Sequence, residues 1–327
     1  MFKKLKLVIL LLVLPLLHGC STVDHSRYFA EHERAYKAET QYKTHYVSRN
    51  GMKIHVREYG KKSSQPSIVL MHGFPDSMHL YDWLVPELMN GEHIIAFDFI
   101  GWGDSDKPTN HLYNFASLIA DLEAVVNRFS LDNMILVAHD ASGPTGINWS
   151  LDNQYRVAGL VILNAVYSQM PTLVRPEAIE TFSTPGLKQW VSTRASSLSD
   201  SLWMRAYNQQ MDRFISTKSL REPFKKILGH QSLKIRPAFF GLNRVLQKHV
   251  ESNNAKTKRL KSFKPSVRII FGDDDPYLNR GVAKELHRLY GDSELFLIKN
   301  AGHFVQVDKP REVARLIKEL RVRTSKQ

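Results

Sequence analysis

NMILVAHDASG, residues 133–143, runs from a short apolar strand straight into the start of a helix. A strand that turns abruptly into a helix presents its corner residue above the sheet, the setting of a nucleophile elbow. The corner takes a strained backbone conformation, so the positions two before and two after it must be small. Around Asp140 these are Ala138 and Ser142. Centring the turn on Ser142 would put Asp140 and Pro144 at the small positions, and the proline would disturb the first helical turn. Asp140 is therefore the expected nucleophile and Ser142 a small packing residue. A carboxylate can attack an electrophilic carbon without a base to activate it, giving an ester that a second step hydrolyses.

That second step needs a histidine with an acidic partner to deprotonate water. FGDDDP (271–276) and NAGHF (300–304) each follow a strand, so nucleophile, acid and histidine fall in the order Asp140, Asp275, His303. Asp275, three residues after Gly272 and just before Pro276, is the chosen acid. Asp273 and Asp274 read as turn residues whose side chains bind the backbone. His72 and His139 read as structural supports. HGFPD (72–76) follows the first parallel strand, where backbone N–H groups form an oxyanion hole, and Phe74 and Ala141 are the expected donors. The glycine-rich turn DFIGWGDSD (98–106) lacks the Lys-Ser/Thr sequel of a phosphate loop and reads as a rigid turn beside the site. With one cysteine and histidines scattered without ligand spacing, neither metal nor cofactor is expected.

Working outward, KTHYVSR (43–49) and MKIHVREY (52–59) are joined by Asn50-Gly51, a pair suited to a tight hairpin. Short apolar strands then alternate with helical stretches, which predicts an α/β class with a mostly parallel sheet covered on both faces. Between residues 167 and 263 the strand signal gives way to helical segments rich in Trp, Met, Phe and Arg. This is expected to be a helical cap inserted into one core, residues 43–166 and 264–327. In the cap, Tyr207, with Tyr167 at its entrance, is a candidate acidic hydroxyl or a packing aromatic. Trp190 and Trp203 are candidates to line the pocket, with one of the two expected to do so.

The chain of 327 residues is 43% hydrophobic with a formal charge of +13. No basic cluster interleaved with aromatics lines one element, so nucleic acid is not expected as a partner; a solvated basic surface or attraction to anionic headgroups fits better. Residues 1–20, MFKKLKLVILLLVLPLLHGC, have a basic start and an apolar run broken by Pro15. Leu17-His-Gly-Cys20 resembles the lipobox of bacterial lipoproteins, with His18 as a departure. That resemblance implies a signal peptide over 1–19, lipidation of Cys20 and, with Ser21 following, a lipid anchor in the cell envelope on the periplasmic side of the outer membrane. Residues 20–42 read as a tether or a loosely docked helix.

His72-Gly-Phe-Pro75, the Gly101-Trp-Gly103-Asp-Ser-Asp turn, His139-Asp140, Asp275 and Asn300-Ala-Gly-His303 together resemble the epoxide hydrolase and haloalkane dehalogenase branch of the α/β-hydrolase superfamily. The resemblance covers residues 43–322 and is weak over the cap. It implies an α/β-hydrolase fold and an alkyl-enzyme ester on Asp140, cleaved by water that His303 activates, acting on a small hydrophobic substrate. Dehalogenases of this branch often carry a tryptophan after the nucleophile and an asparagine in the first loop as halide donors. Here those positions are Ala141 and Phe74, which favours an epoxide over a haloalkane. An ester hydrolase and a non-catalytic binding lipoprotein are the remaining alternatives.

Overall fold

A computed structural model describes residues 22–325, with side chains from His25 onward. Cys20 and the leader lie outside the described residues. Eight strands form one sheet: β1 (Lys43–Arg49), β2 (Met52–Tyr59), β3 (Ser67–Met71), β4 (Ile94–Phe97), β5 (Met134–His139), β6 (Val157–Leu163), β7 (Ser266–Gly272) and β8 (Glu294–Ile298). Their order is β1-β2-β4-β3-β5-β6-β7-β8, with β1 and β2 antiparallel and every pair from β4 to β8 parallel. The β1–β2 turn at Asn50 and Gly51 has φ of +52° and +79°, as a type I′ hairpin requires. β3 and β5 are buried along their whole length, which is why they read as unbroken apolar runs rather than alternating ones.

The helices, in chain order, are α1 (Thr22–Thr40), α2 (Leu84–Leu88), α3 (Phe115–Arg128), α4 (Ser142–Asp152), α5 (Glu177–Ser183), α6 (Leu187–Leu198), α7 (Asp200–Phe214), α8 (Lys218–Ser232), α9 (Arg236–Asn253), α10 (Thr257–Leu260), α11 (Arg280–Leu289), α12 (Val305–Asp308) and α13 (Pro310–Thr324). Helices α5 to α9 fall between β6 and β7 and lie over the C-terminal ends of the strands. Among the described residues no helix is long and apolar enough to cross a membrane.

Of the two expectations for this segment, a tether or a loosely docked helix, the helix is found, and its docking is tighter than expected. Residues 22–40 are a helix with specific anchors, not a loose connection. Tyr36 is buried and its hydroxyl lies 3.1 Å from that of Tyr59. Glu33 pairs with the wholly buried Arg57 at 2.7 Å, and His32 reaches Asp82 at 2.7 Å. His32, His79 and Asp82 converge closely enough to resemble a metal site. Arg57 already holds the other Asp82 oxygen at 3.2 Å, and its fixed charge opposes a cation there.

Candidate active site

Asp140 stands between β5 and α4 with φ of +49°, the left-handed region that non-glycine residues seldom enter. Its N–H donates to the carbonyls of Leu163 and Asn164 at 3.3 and 3.1 Å. The Ser142 hydroxyl lies 2.9 and 2.8 Å from the carbonyls of Met71 and His139, tying the elbow to β3. The corner residue is thus held from both sides, and Ser142 has a structural part. Gly73 explains the neighbouring loop. A Cβ there would sit 2.6 Å from the Asp140 Cβ and 2.8 Å from its Oδ2. Only glycine lets the loop approach closely enough for the Phe74 N–H to donate to Oδ2 at 3.2 Å. The Ala141 N–H is the second backbone donor to this carboxylate. The other oxygen, Oδ1, faces His303 Nε2 at 3.8 Å.

His303 follows β8, and its Nδ1 donates to Asp275 Oδ2 at 2.8 Å; a carboxylate can only accept, which fixes that proton on Nδ1. Asp275 follows β7. Its Oδ1 accepts from the Tyr277 and Leu278 N–H groups at 2.9 and 3.1 Å, and its Oδ2 also accepts from Asn164 Nδ2 at 2.8 Å. Asp140, His303 and Asp275 therefore form one chain of contacts across the ends of β5, β8 and β7. The other two aspartates point elsewhere: Asp273 makes a bidentate pair with Arg280 at 3.0 and 2.7 Å, and Asp274 lies near Ser216 Oγ. The expected backbone bonds of these two side chains are replaced by side-chain partners. His72 and His139 are buried supports. His72 accepts from the Phe99 N–H at 3.2 Å, and His139 Nε2 reaches the His303 carbonyl at 3.0 Å.

Burial sets the charges. It would lower the His303 pKa, but Asp275, then Asp140 and Asp76, overcome it and hold the imidazole above its usual value. For Asp275 burial acts upward, and His303 with the surrounding donors outweighs it, so this carboxyl lies below the usual range. Asp140 is raised by burial despite His303 and the backbone donors.

Asp76 was legible only as a loop residue, yet it is a strongly perturbed acid beside the site. Its two oxygens are buried without a hydrogen-bond partner among the described residues. Burial, reinforced by the neighbouring charge of Asp140, pushes its pKa up to about 8. Its ionisation adds a second negative charge beside Asp140 and favours the charged form of His303. A carboxyl raised on folding contributes stability that is complete below about pH 3.9, its unfolded value, and lost as pH climbs toward 8. Asp76→Asn is therefore expected to melt at a higher temperature than the wild type at pH 8, and to retain turnover where the wild-type rate falls. Parallel pH profiles of Tm and kcat check both; profiles that superimpose would remove Asp76 from the site's electrostatics.

Above Asp140 and His303 lies a cavity of about 350 Å³, within the usual range for small-molecule sites. Phe74, Phe182, Trp203, Tyr207, Phe214 and Phe239 supply much of its apolar wall. On α7, Trp203, Tyr207, Gln210 and Phe214 recur at helical spacing and face the cavity together. Trp203 Nε1, Tyr207 Oη and Gln210 Nε2 are buried and have no partner among the described residues. Gln210 was missed because nothing in its own neighbourhood marks it; its place three residues beyond Tyr207 on one helix was the available signal.

Of the four cap candidates for the cavity wall, Trp203 and Tyr207 line it, one of the two tryptophans as expected, and Trp190 and Tyr167 do not. Trp190 is 64% exposed on α6 and does not line the cavity; α6 turns it away from the protein. Tyr167 is fully buried but outside the cavity wall, its hydroxyl donating to Asn148 Oδ1 at 3.0 Å and its carbonyl accepting from Asn253. It fastens α4 to the end of the cap.

An elbow on β5, a histidine after β8 and an acid after β7, under a helical insertion between β6 and β7, agree with the comparison by sequence. Residues 66–310 match the alpha/beta hydrolase fold family. The chain belongs to that family. This α/β-hydrolase is 28% identical over 302 residues to the AB hydrolase superfamily protein YfhM of Bacillus subtilis, covering 85% of this chain and 97% of the relative. It is 22% identical over 293 residues to epoxide hydrolase 3 of Xenopus tropicalis, covering 83% of this chain and 75% of that one. Among solved structures, the haloalkane dehalogenase DbeA of Bradyrhizobium elkani superimposes with a TM-score of 0.69 at 19% identity, covering 86% of this chain and 99% of that one. As an α/β-hydrolase, the protein is a hydrolase of small molecules.

Proposed function

We propose that the chain opens epoxides of small hydrophobic molecules through a covalent ester on Asp140. The observation that carries this reading is the split role of the Asp140 carboxylate. One oxygen, Oδ2, accepts from the Phe74 N–H, while Oδ1 is turned toward His303 and the cavity. Oδ1 attacks a ring carbon, the carbon–oxygen bond breaks, and the departing oxygen takes a proton from a donor on the cap. Tyr207 Oη is that donor. Burial, with Asp76 adding to it, holds its pKa well above the usual phenol value, so the hydroxyl arrives protonated. His303 Nε2 then removes a proton from water, and the hydroxide adds to the ester carbon. The charge develops on Oδ2, where the Phe74 and Ala141 N–H groups stabilise it. Collapse of this intermediate breaks the bond between the Asp140 carboxyl carbon and Oδ1, so the diol leaves carrying Oδ1 and the proton from His303, while the water oxygen stays in the Asp140 carboxyl, whose proton returns to the Tyr207 phenolate.

A second reading is dehalogenation. Trp203 Nε1 and Tyr207 Oη are unpartnered donors on one face of α7 beside the cavity, able to hold a departing halide in place of the donors that Phe74 and Ala141 do not provide. The deciding experiment incubates a His303→Ala variant with separate panels of epoxides and haloalkanes and weighs the intact protein. Without the water-activating base the second step slows by a factor on the order of 10² to 10⁴, and the ester accumulates. An epoxide adds its whole mass to the Asp140 peptide. A haloalkane adds its alkyl group and releases halide. A folded variant that takes up neither returns the site to ester hydrolysis or to binding alone.

A further inference from the structure

Helix α6 is amphipathic in the inverted sense. Leu187, Trp190, Val191 and Leu198 recur at spacings of three, four and seven residues and share one stripe. That stripe faces solvent: Leu187 is 76% exposed, Leu198 79%, and Trp190 and Val191 are exposed with them. The polar side of the helix, with Gln189, Ser192, Thr193 and Ser196, is the side turned toward the protein. There Gln189 Nε2 donates to the Phe182 carbonyl at 2.7 Å, and the Ser196 carbonyl accepts from Arg236 Nη1 at 2.9 Å. On α7, Leu202 is also exposed. Five of the ten exposed large hydrophobic side chains among the described residues fall between positions 187 and 202. Single exposed apolar residues are ordinary, but a contiguous stripe of them marks an interaction surface.

The charge around the stripe identifies what would cover it. Lys188, Arg194 and Arg205 form no ion pair among the described residues, and α6 contains no acidic residue. The nearest acid, Asp200, is paired with Arg236 at 2.8 Å. We propose that α6 seats the cap on an anionic lipid bilayer, with the stripe at the acyl boundary and the three cations at the headgroups. A second copy of this chain would bring like charges face to face on a protein whose formal charge is already +13. The chain's own course supports the lipid. At the beginning of α1, His25 and Met204 of α7 both lie against Gly229, the Tyr28 ring lies under Lys226, and Phe29 stacks on His230. The described start of α1 therefore lies beside α8 and α7, and α7 in turn packs against α6 and carries Leu202. Val174, Pro176, Ile179 and Phe182, in the segment that leads into α6, line the cavity. A cap so seated would receive hydrophobic substrate from the membrane. The seating is independent of which electrophile the site opens.

The test places a polarity-sensitive fluorophore on α6 itself, so that binding through the N-terminal segment alone does not register. The full chain carries Cys20→Ser and Leu198→Cys. A twin carries Tyr155→Cys, an exposed position at the opposite end of the sheet from the cap. Both are mixed with vesicles of phosphatidylcholine with and without phosphatidylglycerol, and with brominated acyl chains as quencher. The label at 198 is expected to shift to the blue and be quenched on the anionic vesicles, the label at 155 to do neither. Lys188→Glu with Arg194→Glu is expected to weaken this response to the vesicles by about ten-fold or more. A label at 198 that stays in water while the protein is vesicle-bound would overturn the proposal, as would failure to bind vesicles. A blue shift without vesicles that grows with protein concentration would overturn it in favour of a second copy.

Discussion

Asp140→Asn is expected to lose turnover by at least about four orders of magnitude, the usual cost of removing a nucleophile, while remaining folded. Asparagine tolerates the left-handed conformation that φ of +49° demands. It also removes a buried charge whose pKa burial already raises, so the variant should melt no lower than the wild type at neutral pH. Ser142→Ala is the counterpart. Ser142 bonds only to the backbone around the elbow, so its loss should cost about 1 kcal/mol of stability and leave kcat within about ten-fold. Steady-state kinetics and thermal melts on the two variants separate the readings, because an active Asp140→Asn with an inactive Ser142→Ala would transfer the nucleophile to the serine.

Asp275→Ala should produce the largest loss of stability, about 3 to 5 kcal/mol, because one buried carboxylate satisfies four donors at once. His303 Nδ1, Asn164 Nδ2 and the N–H groups of Tyr277 and Leu278 would all be orphaned. The pH dependence has a definite sign. The Asp275 pKa lies below its unfolded value, so its stabilisation is full above that value, near pH 3.9, and is lost as pH falls through the lower folded one. The melting temperatures of wild type and variant should therefore be furthest apart near neutrality and converge in strong acid. A gap that is constant with pH would mean that lost packing, not the carboxylate charge, is being measured.

The central sheet was legible because β3 to β7 are short apolar runs between turn residues, and burial on both faces leaves such runs little freedom to vary. The order Asp140, Asp275, His303 was legible for a related reason: each follows a strand end, so chain order reports position on the sheet. Asp76 was not, since its surroundings include Tyr207 on the cap and Asp140 at the elbow, both far from it in sequence. The cap misled most. An amphipathic helix reveals its apolar stripe but not which way the stripe faces, and for Trp190 the direction was opposite to the usual one. Tyr167 stayed open between two roles because an aromatic at a cap entrance can serve a pocket or a joint, and only its bond to Asn148 decides. Residues 22–40 look solvated because the groups that dock them are charged and meet charges on β2 and the loop before α2.

That docked helix also decides how the molecule bears load. Any force applied at the N-terminal side of the chain must reach the sheet through α1. Glu33 on Arg57, His32 on Asp82 and the buried ring of Tyr36 grip the core before the first strand begins. Peeling that helix away would leave a fully buried guanidinium with one counter-charge fewer, a cost that resists detachment. The helix thus acts as strain relief: a pull on the chain ahead of α1 is absorbed at β2, several strands away from Asp140 and His303.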